Sequence, residues 1–294
     1  MYERILVPLD GSELAEGALP YVEGVAAKLN SEVILFTVCV AGDCLERPMR
    51  AYLEKKAGEL ESLEIKASLL VAEGNVANEI LDFAEKNNIG LIIISTHGRS
   101  GISRWALGSI ANKVMQGSRI PILLIRSSKP EAVLAEKELQ NILVPLDGSR
   151  FAEGVIPYVE GLAGGMNSEV TLLRVIEPIE HPSFARHAVE FDEGKYVKAL
   201  MSTAERKAKR YLSKIERALR DKDVEVSSAL LEGKPTQTIL QYAEDNSVSL
   251  IALATHGFSG ITRWAYGSVA SKIIEGSSMP ILLVRPPLPS SSAK

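Results

Sequence analysis

Two stretches of the chain concentrate residue types suited to chemistry: THGRSGISRWALGS, from Thr96 to Ser109, and THGFSGITRWAYGS, from Thr255 to Ser268. Each carries a glycine, nine residues and a Gly-Ser pair: Gly98 with Gly108 and Ser109, then Gly257 with Gly267 and Ser268. A glycine lets the backbone turn sharply and approach a ligand closely. A helix opening at the serine leaves its first amides without internal partners, and the helix dipole adds partial positive charge. Such a helix start holds anions, and phosphates in particular. The serine hydroxyl supplies one more donor. Arg99, beside the first loop, can pair with phosphate, whereas Phe258 at the matching place cannot. The two loops are therefore expected to bind with unequal affinity.

A second repeated feature is Asp-Gly-Ser after an apolar run, at Asp10–Ser12 and Asp147–Ser149. A carboxylate there can accept hydrogen bonds from ribose hydroxyls or orient a metal on phosphates. Asp-Gly-Ser is also a turn followed by a helix cap. Val38 and Val175 offer an apolar wall for a base. His97 and His256 fit positioning or packing better than general-base work. His181 and His187 have no familiar metal spacing and fit a surface loop. Ile102, Trp105 and Leu107, like Ile261, Trp264 and Tyr266, suit either cover for the adjoining helix or a protein contact.

These residues need elements to position them, and the chain supplies each element twice. ILVPLDGSELAEGALPYVEG begins at Ile5 and ILVPLDGSRFAEGVIPYVEG at Ile142. Asp10 and Asp147 are 137 positions apart, whereas Gly98 and Gly257 are 159 apart, so the second copy carries 22 further residues. They fall after its second strand, where they can cover a ligand. ILVPL reads as a strand buried on both faces. Ser12 is expected to cap one helix through AEGALPYVEGVAAKL, kinked at Pro20. VILFTVCV, a strand ending near Gly74, LIIIS and PILLIR follow, with helices around MRAYLEKKAGEL, over VANEILDFAEKNN and from Ser109. Strands alternating with helices predict an α/β protein: two tandem doubly wound, Rossmann-like domains, each a five-stranded parallel sheet flanked by helices. The expected boundaries are a first domain over 1–127, a linker over 128–140, a second domain over 141–287 and a disordered tail over 288–294. In such sheets ligands bind outside the carboxyl ends of the strands, where strand order reverses. Both repeated features belong at that edge.

Composition narrows the functional class. A net charge of −4 gives no electrostatic reason to expect nucleic acid or anionic membrane as partner. The apolar runs are too short to span a bilayer. The first strand begins at Ile5, which leaves no room for a signal peptide. Two cysteines, Cys39 and Cys44, fit a reducing compartment better than a disulfide framework. A cytoplasmic protein is expected. No Walker A lysine motif and no recognisable serine–histidine–acid arrangement is present, which favours a binder over a catalyst.

On ILVPLDGS with AEGALPYVEG, GNVANEIL, LIIISTHGRSG, and LGS followed by PILLIR, the chain resembles the tandem two-domain members of the universal stress protein family, over nearly its whole length. The family's nucleotide pattern is Gly, two residues, Gly, nine residues, Gly, then Ser or Thr. Here Ser95 and Ala254 stand at the first glycine. The resemblance implies that Pro8, Leu9 and Asp10 face adenosine with Val38 beside the base, and that Gly98, Gly108, Ser109 and Ile110 meet the phosphates, flanked by Ser95 and Arg99. Pro145, Leu146, Asp147, Val175, Ala254, Gly257, Gly267, Ser268 and Val269 match in the second copy. It further implies ATP or AMP as ligand, Mg or Mn accompanying ATP rather than held by protein alone, at most slow ATP hydrolysis, and a regulatory role in the stress response through an unknown protein partner. The alternative is a nucleotide-free interaction protein whose glycine loops serve packing and dimerisation. Family members pair their last strands across a dimer, so PILLIR and PILLVR are expected to pair within this chain. Homodimerisation of the whole chain is a further expectation.

Overall fold

The apolar runs become strands where the sequence predicts them. The first half contains β1 (Arg4–Pro8), β2 (Glu32–Cys39), β3 (Ala67–Glu73), β4 (Leu91–Ser95) and β5 (Ile122–Ile125). Between them lie α1 (Glu13–Glu16), α2 (Leu19–Leu29), α3 (Glu46–Glu61), α4 (Val76–Lys86) and α5 (Ser109–Gly117). The second half repeats the order with β6 (Asn141–Pro145), α6 (Arg150–Glu153), α7 (Ile156–Met166), β7 (Glu169–Ile176), α8 (Glu193–Arg220), β8 (Val226–Glu232), α9 (Pro235–Asp245), β9 (Leu250–Ala254), α10 (Ser268–Gly276) and β10 (Ile281–Val284). This computed structural model describes residues 1–40, 46–96, 107–126, 139–178, 193–255 and 267–286.

Strand order is β3-β2-β1-β4-β5 in one half and β8-β7-β6-β9-β10 in the other, parallel within each half. Order reverses between β1 and β4, and between β6 and β9. A crevice opens there because successive helices leave toward opposite faces of the sheet. Alternating residues serve the two faces. Ile5 and Val7 enter the core under α2 and α3, while Leu6 enters the core under α4 and α5. All of β4 is buried, so an interior truncation such as Ile92→Ala would cost about 2–5 kcal/mol.

The halves join into a single ten-stranded sheet. β5 and β10 run antiparallel, with Leu123 opposite Leu282, as the sequence predicts for the last strands. Two arginines reinforce the seam reciprocally. Arg126 donates to the Ile274 and Glu275 carbonyls at the end of α10. Arg285 donates to the Gln116 carbonyl at the end of α5, at 2.7 Å. Helices α2 and α7 also meet, and Gly165 admits Leu29: a Cβ there would lie 2.0 Å from Leu29 Cδ2.

Two expectations need correction. Instead of one kinked helix, Ser12 caps a single turn, α1, and the chain restarts as α2. Pro20 sits in the first turn of α2, where its missing N–H leaves no helix bond unmade. The cysteines, expected to suit a reducing compartment, include Cys39, which is buried and disulfide-bonded. The other cysteine, Cys44, lies outside the described residues.

Candidate functional site

Each switch point opens into a cleft, and each cleft is built from the same parts. The first wall is the end of the opening strand. Gly11 (φ 79°) and Gly148 (φ 83°) take the left-handed backbone that turns the chain immediately after the aspartate. Asp10 Oδ1 then accepts from the Ser12 amide at 3.0 Å and from its hydroxyl at 2.6 Å. Asp147 Oδ1 accepts from the Ser149 amide at 2.8 Å. The serines in turn cap α1 and α6 by accepting from Ala15 and Ala152. The turn-and-cap role is therefore real, and both aspartates still line the clefts.

The opposite wall is the start of α5 or α10. The Gly108 amide donates to the Thr96 carbonyl at 2.7 Å, and the Gly267 amide to Thr255 at 3.0 Å. These bonds bring each helix start back to the end of the fourth strand. Neither helix has a side-chain cap or an acidic residue in its first turn. Contrast α4, whose first amides are capped by Asn75. Ser109 and Ser268 are exposed. The result is a cluster of donors and positive dipole without a side-chain cap among the described residues.

The first cleft has a volume of about 320 Å³. It brings together Pro8, Leu9, Asp10, Val38, Ser95, Gly108, Ser109 and Ile110, with Phe36 as an apolar floor backed by stacked Phe83 at 4.9 Å. The second is larger, at about 780 Å³, and gathers Pro145, Leu146, Asp147, Val175, Ala254, Gly267, Ser268 and Val269. Gly98, Arg99 and Gly257 lie outside the described residues, as do His97, His181, His187, His256, Ile102, Trp105, Ile261, Trp264 and Tyr266. Leu107 packs on the core under α4 and α5.

A model of the universal stress protein family matches residues 1–126 and again 138–285. The chain belongs to the universal stress protein family. A universal stress protein of Methanocaldococcus jannaschii is 29% identical over 146 residues, which is 45% of this chain and 86% of that protein. A Synechocystis universal stress protein is 22% identical over 96% of this chain and all of its own length. Among solved structures, the universal stress protein from Archaeoglobus fulgidus superposes with a TM-score of 0.73 at 20% identity, covering 97% of this chain and 99% of that one, which shows a shared fold.

This universal stress protein also has site residues that the sequence motifs do not mark. Arg174, Lys207, Tyr211 and Glu177 line the second cleft. Lys207 and Tyr211 come from α8, whose 28 residues compare with 16 in α3. At the 159-residue offset the start of α3 matches Glu205, so part of the expansion lies within α8, whereas Lys207 and Tyr211 stand where α3 has Pro48 and Tyr52. Tyr52 on α3 and Tyr211 on α8 are 159 positions apart, the same offset that separates the glycine loops. Burial raises the pKa of each hydroxyl, and Glu16 and Asp10, or Glu153 and Asp147, raise it further. Aligning VILFTVCV with VTLLRVIE would have exposed Arg174 opposite Thr37, and the 159-residue offset would have paired the tyrosines.

Proposed function

We propose that the chain binds adenine nucleotides in both clefts and acts as a stress-response binding and regulatory module, with at most slow ATP hydrolysis. The observation that supports this is the pairing, at each switch point, of a strand-end carboxylate with an uncapped helix start across an apolar-walled cleft. The carboxylate suits ribose hydroxyls, the apolar wall suits a base, and the helix start suits phosphates. Among the described residues no group of three or more His, Cys, Asp or Glu is placed to hold a metal ion. In this reading Mg or Mn arrives on the nucleotide's own phosphate oxygens, with Asp10 or Asp147 as the nearby carboxylate.

In this reading the chain divides into nucleotide-binding domains over 1–127 and 141–287, a linker over 128–140 and a tail over 288–294. No described helix is long and apolar enough to cross a membrane; the proposed site of action is the cytoplasm. β5 and β10 already occupy each other's edges, so a homodimer would use another surface.

The test is direct. Purified protein is denatured and the supernatant chromatographed for released nucleotide. Melting is then followed with millimolar ATP and Mg, because a ligand that binds only the folded state raises Tm. Released adenine nucleotide and a raised Tm support the proposal. No nucleotide and an unmoved Tm sink it, and leave a nucleotide-free interaction module.

A further inference from the structure

The two clefts differ in how they use a cation. Register pairs Pro8 with Phe36 and Pro145 with Leu173, so Thr37 and Arg174 hold the same place on β2 and β7. Thr37 is buried and donates its hydroxyl to the Leu9 carbonyl at 2.6 Å. Arg174 reaches the corresponding carbonyl, Leu146, from Nη1 at 3.2 Å. The rest of its guanidinium lies against the Asp-Gly-Ser turn: a Cβ on Gly148 would sit 4.0 Å from Arg174 Cζ and Nη2. Arg174 therefore lines the second cleft beside Asp147 and makes no ion pair among the described residues.

On the first half's matching helix, α3, a lysine is instead neutralised by carboxylates. Lys56 Nζ lies 2.8 Å from Glu16 and 3.2 Å from Glu59. In the second half Glu153 takes the place of Glu16, but Ile215 and Ala218 stand at the positions matching Lys56 and Glu59. The positive charge has moved from a closed ion pair on a helix to a strand-end guanidinium that lines the cleft and has no ion pair among the described residues. Lys207 adds a second, exposed cation at the rim. Asp147 and Glu177 line the same space. The second cleft thus suits a ligand that offers hydroxyls to a carboxylate and an anion to an arginine.

In doubly wound folds a carboxylate near the switch point binds ribose hydroxyls, or an arginine nearby accommodates a ribose phosphate instead. The guanidinium fork matches phosphate oxygens two at a time. We propose that the second cleft takes a nucleotide bearing an extra phosphate on its ribose, held by Arg174 with Lys207 at the rim. The first cleft takes nucleotides whose phosphates all lie on the 5′ side. This rests on the nucleotide assignment above and adds to it the ligand class of one site.

The experiment is calorimetric titration of the full chain with AMP, adenosine 3′,5′-bisphosphate and adenosine 2′,5′-bisphosphate at fixed ionic strength, read as the ratio of affinities at the tighter bisphosphate site. A charge-assisted bond of about 1.5–3 kcal/mol predicts a bisphosphate preference of about tenfold or more. Arg174→Thr, which installs the first half's residue, should bring the ratio near one. Lys207→Ala, on an exposed helix face, should lower it about twofold to threefold. Far-ultraviolet circular dichroism checks that both variants fold. AMP binding with no bisphosphate preference, or a preference that survives Arg174→Thr in the folded protein, overturns the proposal. Binding of none of the three compounds overturns the nucleotide assignment itself, and this inference with it.

Discussion

The clefts at the ends of β1 and β6 share their floors and helix starts but not their side walls. Both have a strand-end aspartate committed through Oδ1 to a capped turn, and both face a helix start without a side-chain cap. In the first half Thr37 turns its hydroxyl back onto the Leu9 carbonyl, Lys56 is ion-paired, and neither lines the cleft. The second opens its wall with Arg174 and extends it along α8. Duplication kept the parts that build the backbone cradle and let the side chains that choose a ligand diverge. Backbone parts tolerate little change, because a Cβ in the wrong place blocks an approach. Wall residues tolerate more, since each contacts the ligand through one flexible side chain.

The largest effect should come from breaking what the clefts share. Gly108 and Gly267 lie at φ −58° and −57°, a conformation open to any residue. A leucine there would act by filling the cleft rather than by straining the chain. Losing two or more phosphate bonds of about 1.5–3 kcal/mol each weakens binding by about a hundredfold or more. Gly108→Leu should silence only the first cleft and Gly267→Leu only the second, so calorimetric stoichiometry should halve in each single variant and vanish in the double variant. Loss of both sites from one substitution would show that the clefts are not separate.

How much of this was legible in the sequence depends on whether a feature is local. The Asp-Gly-Ser turn and the helix starts at Ser109 and Ser268 follow from short motifs, the β5–β10 pairing follows from the family resemblance, and the structure has them. The division of one expected helix into α1 and α2 was missed because Pro20 fits the first turn of a new helix as well as the middle of a kinked one. Arg174 was missed because its meaning is relational. In LLRVIE it looks like a polar interruption of a strand, and only the register with β6 places it beside Asp147. The reciprocal contacts of Arg126 and Arg285 were hidden for the same reason, since each joins residues about half a chain apart.

Those two arginines give the next effect in size. Arg126 binds carbonyls at the end of α10, whose start lines the second cleft, and Arg285 does the same for α5 and the first. Each should favour its helix by satisfying final carbonyls and complementing the negative dipole end. Arg126→Ala and Arg285→Ala should each cost about 1–2 kcal/mol in urea unfolding. The influence on binding should cross over: Arg126→Ala weakens the second cleft, and Arg285→Ala the first. A loss confined to the variant's own half would refute this crossing.

A smaller effect probes the tyrosines that both halves retain. Burial, then Glu16 and Asp10, raise the Tyr52 pKa above its ordinary 10; burial, then Glu153 and Asp147, do the same for Tyr211. A raised folded-state pKa gives stability that is fully present below pH 10 and is lost as pH climbs through the folded value. Denaturant midpoints should therefore fall above pH 10. Tyr52→Phe and Tyr211→Phe should each flatten that decline. A decline unchanged by either substitution would mean that these hydroxyls do not set the alkaline limit of stability.

The smallest effect concerns Lys56, where the comparison is most nearly a natural experiment. Burial pulls its pKa down, but the bonds to Glu16 and Glu59 outweigh that and leave it raised above 10.5. Its contribution is therefore present below pH 10.5 and lost at higher pH. Lys56→Ile copies the second half, where Ile215 is buried in the core. The ion pair reaches the surface through Glu16 and Glu59, whose side chains are 31% and 49% exposed, so removing it should cost no more than about 1 kcal/mol at neutral pH. The added apolar burial offsets part of that loss. Wild type and Lys56→Ile should thus differ slightly at pH 7 and converge above the lysine pKa. A gap that persists into that range would mean that Lys56 acts through the packing of its methylene stem rather than its charge. The contrast between the halves would then be one of shape, and moving a cation from α3 to β7 would no longer explain it.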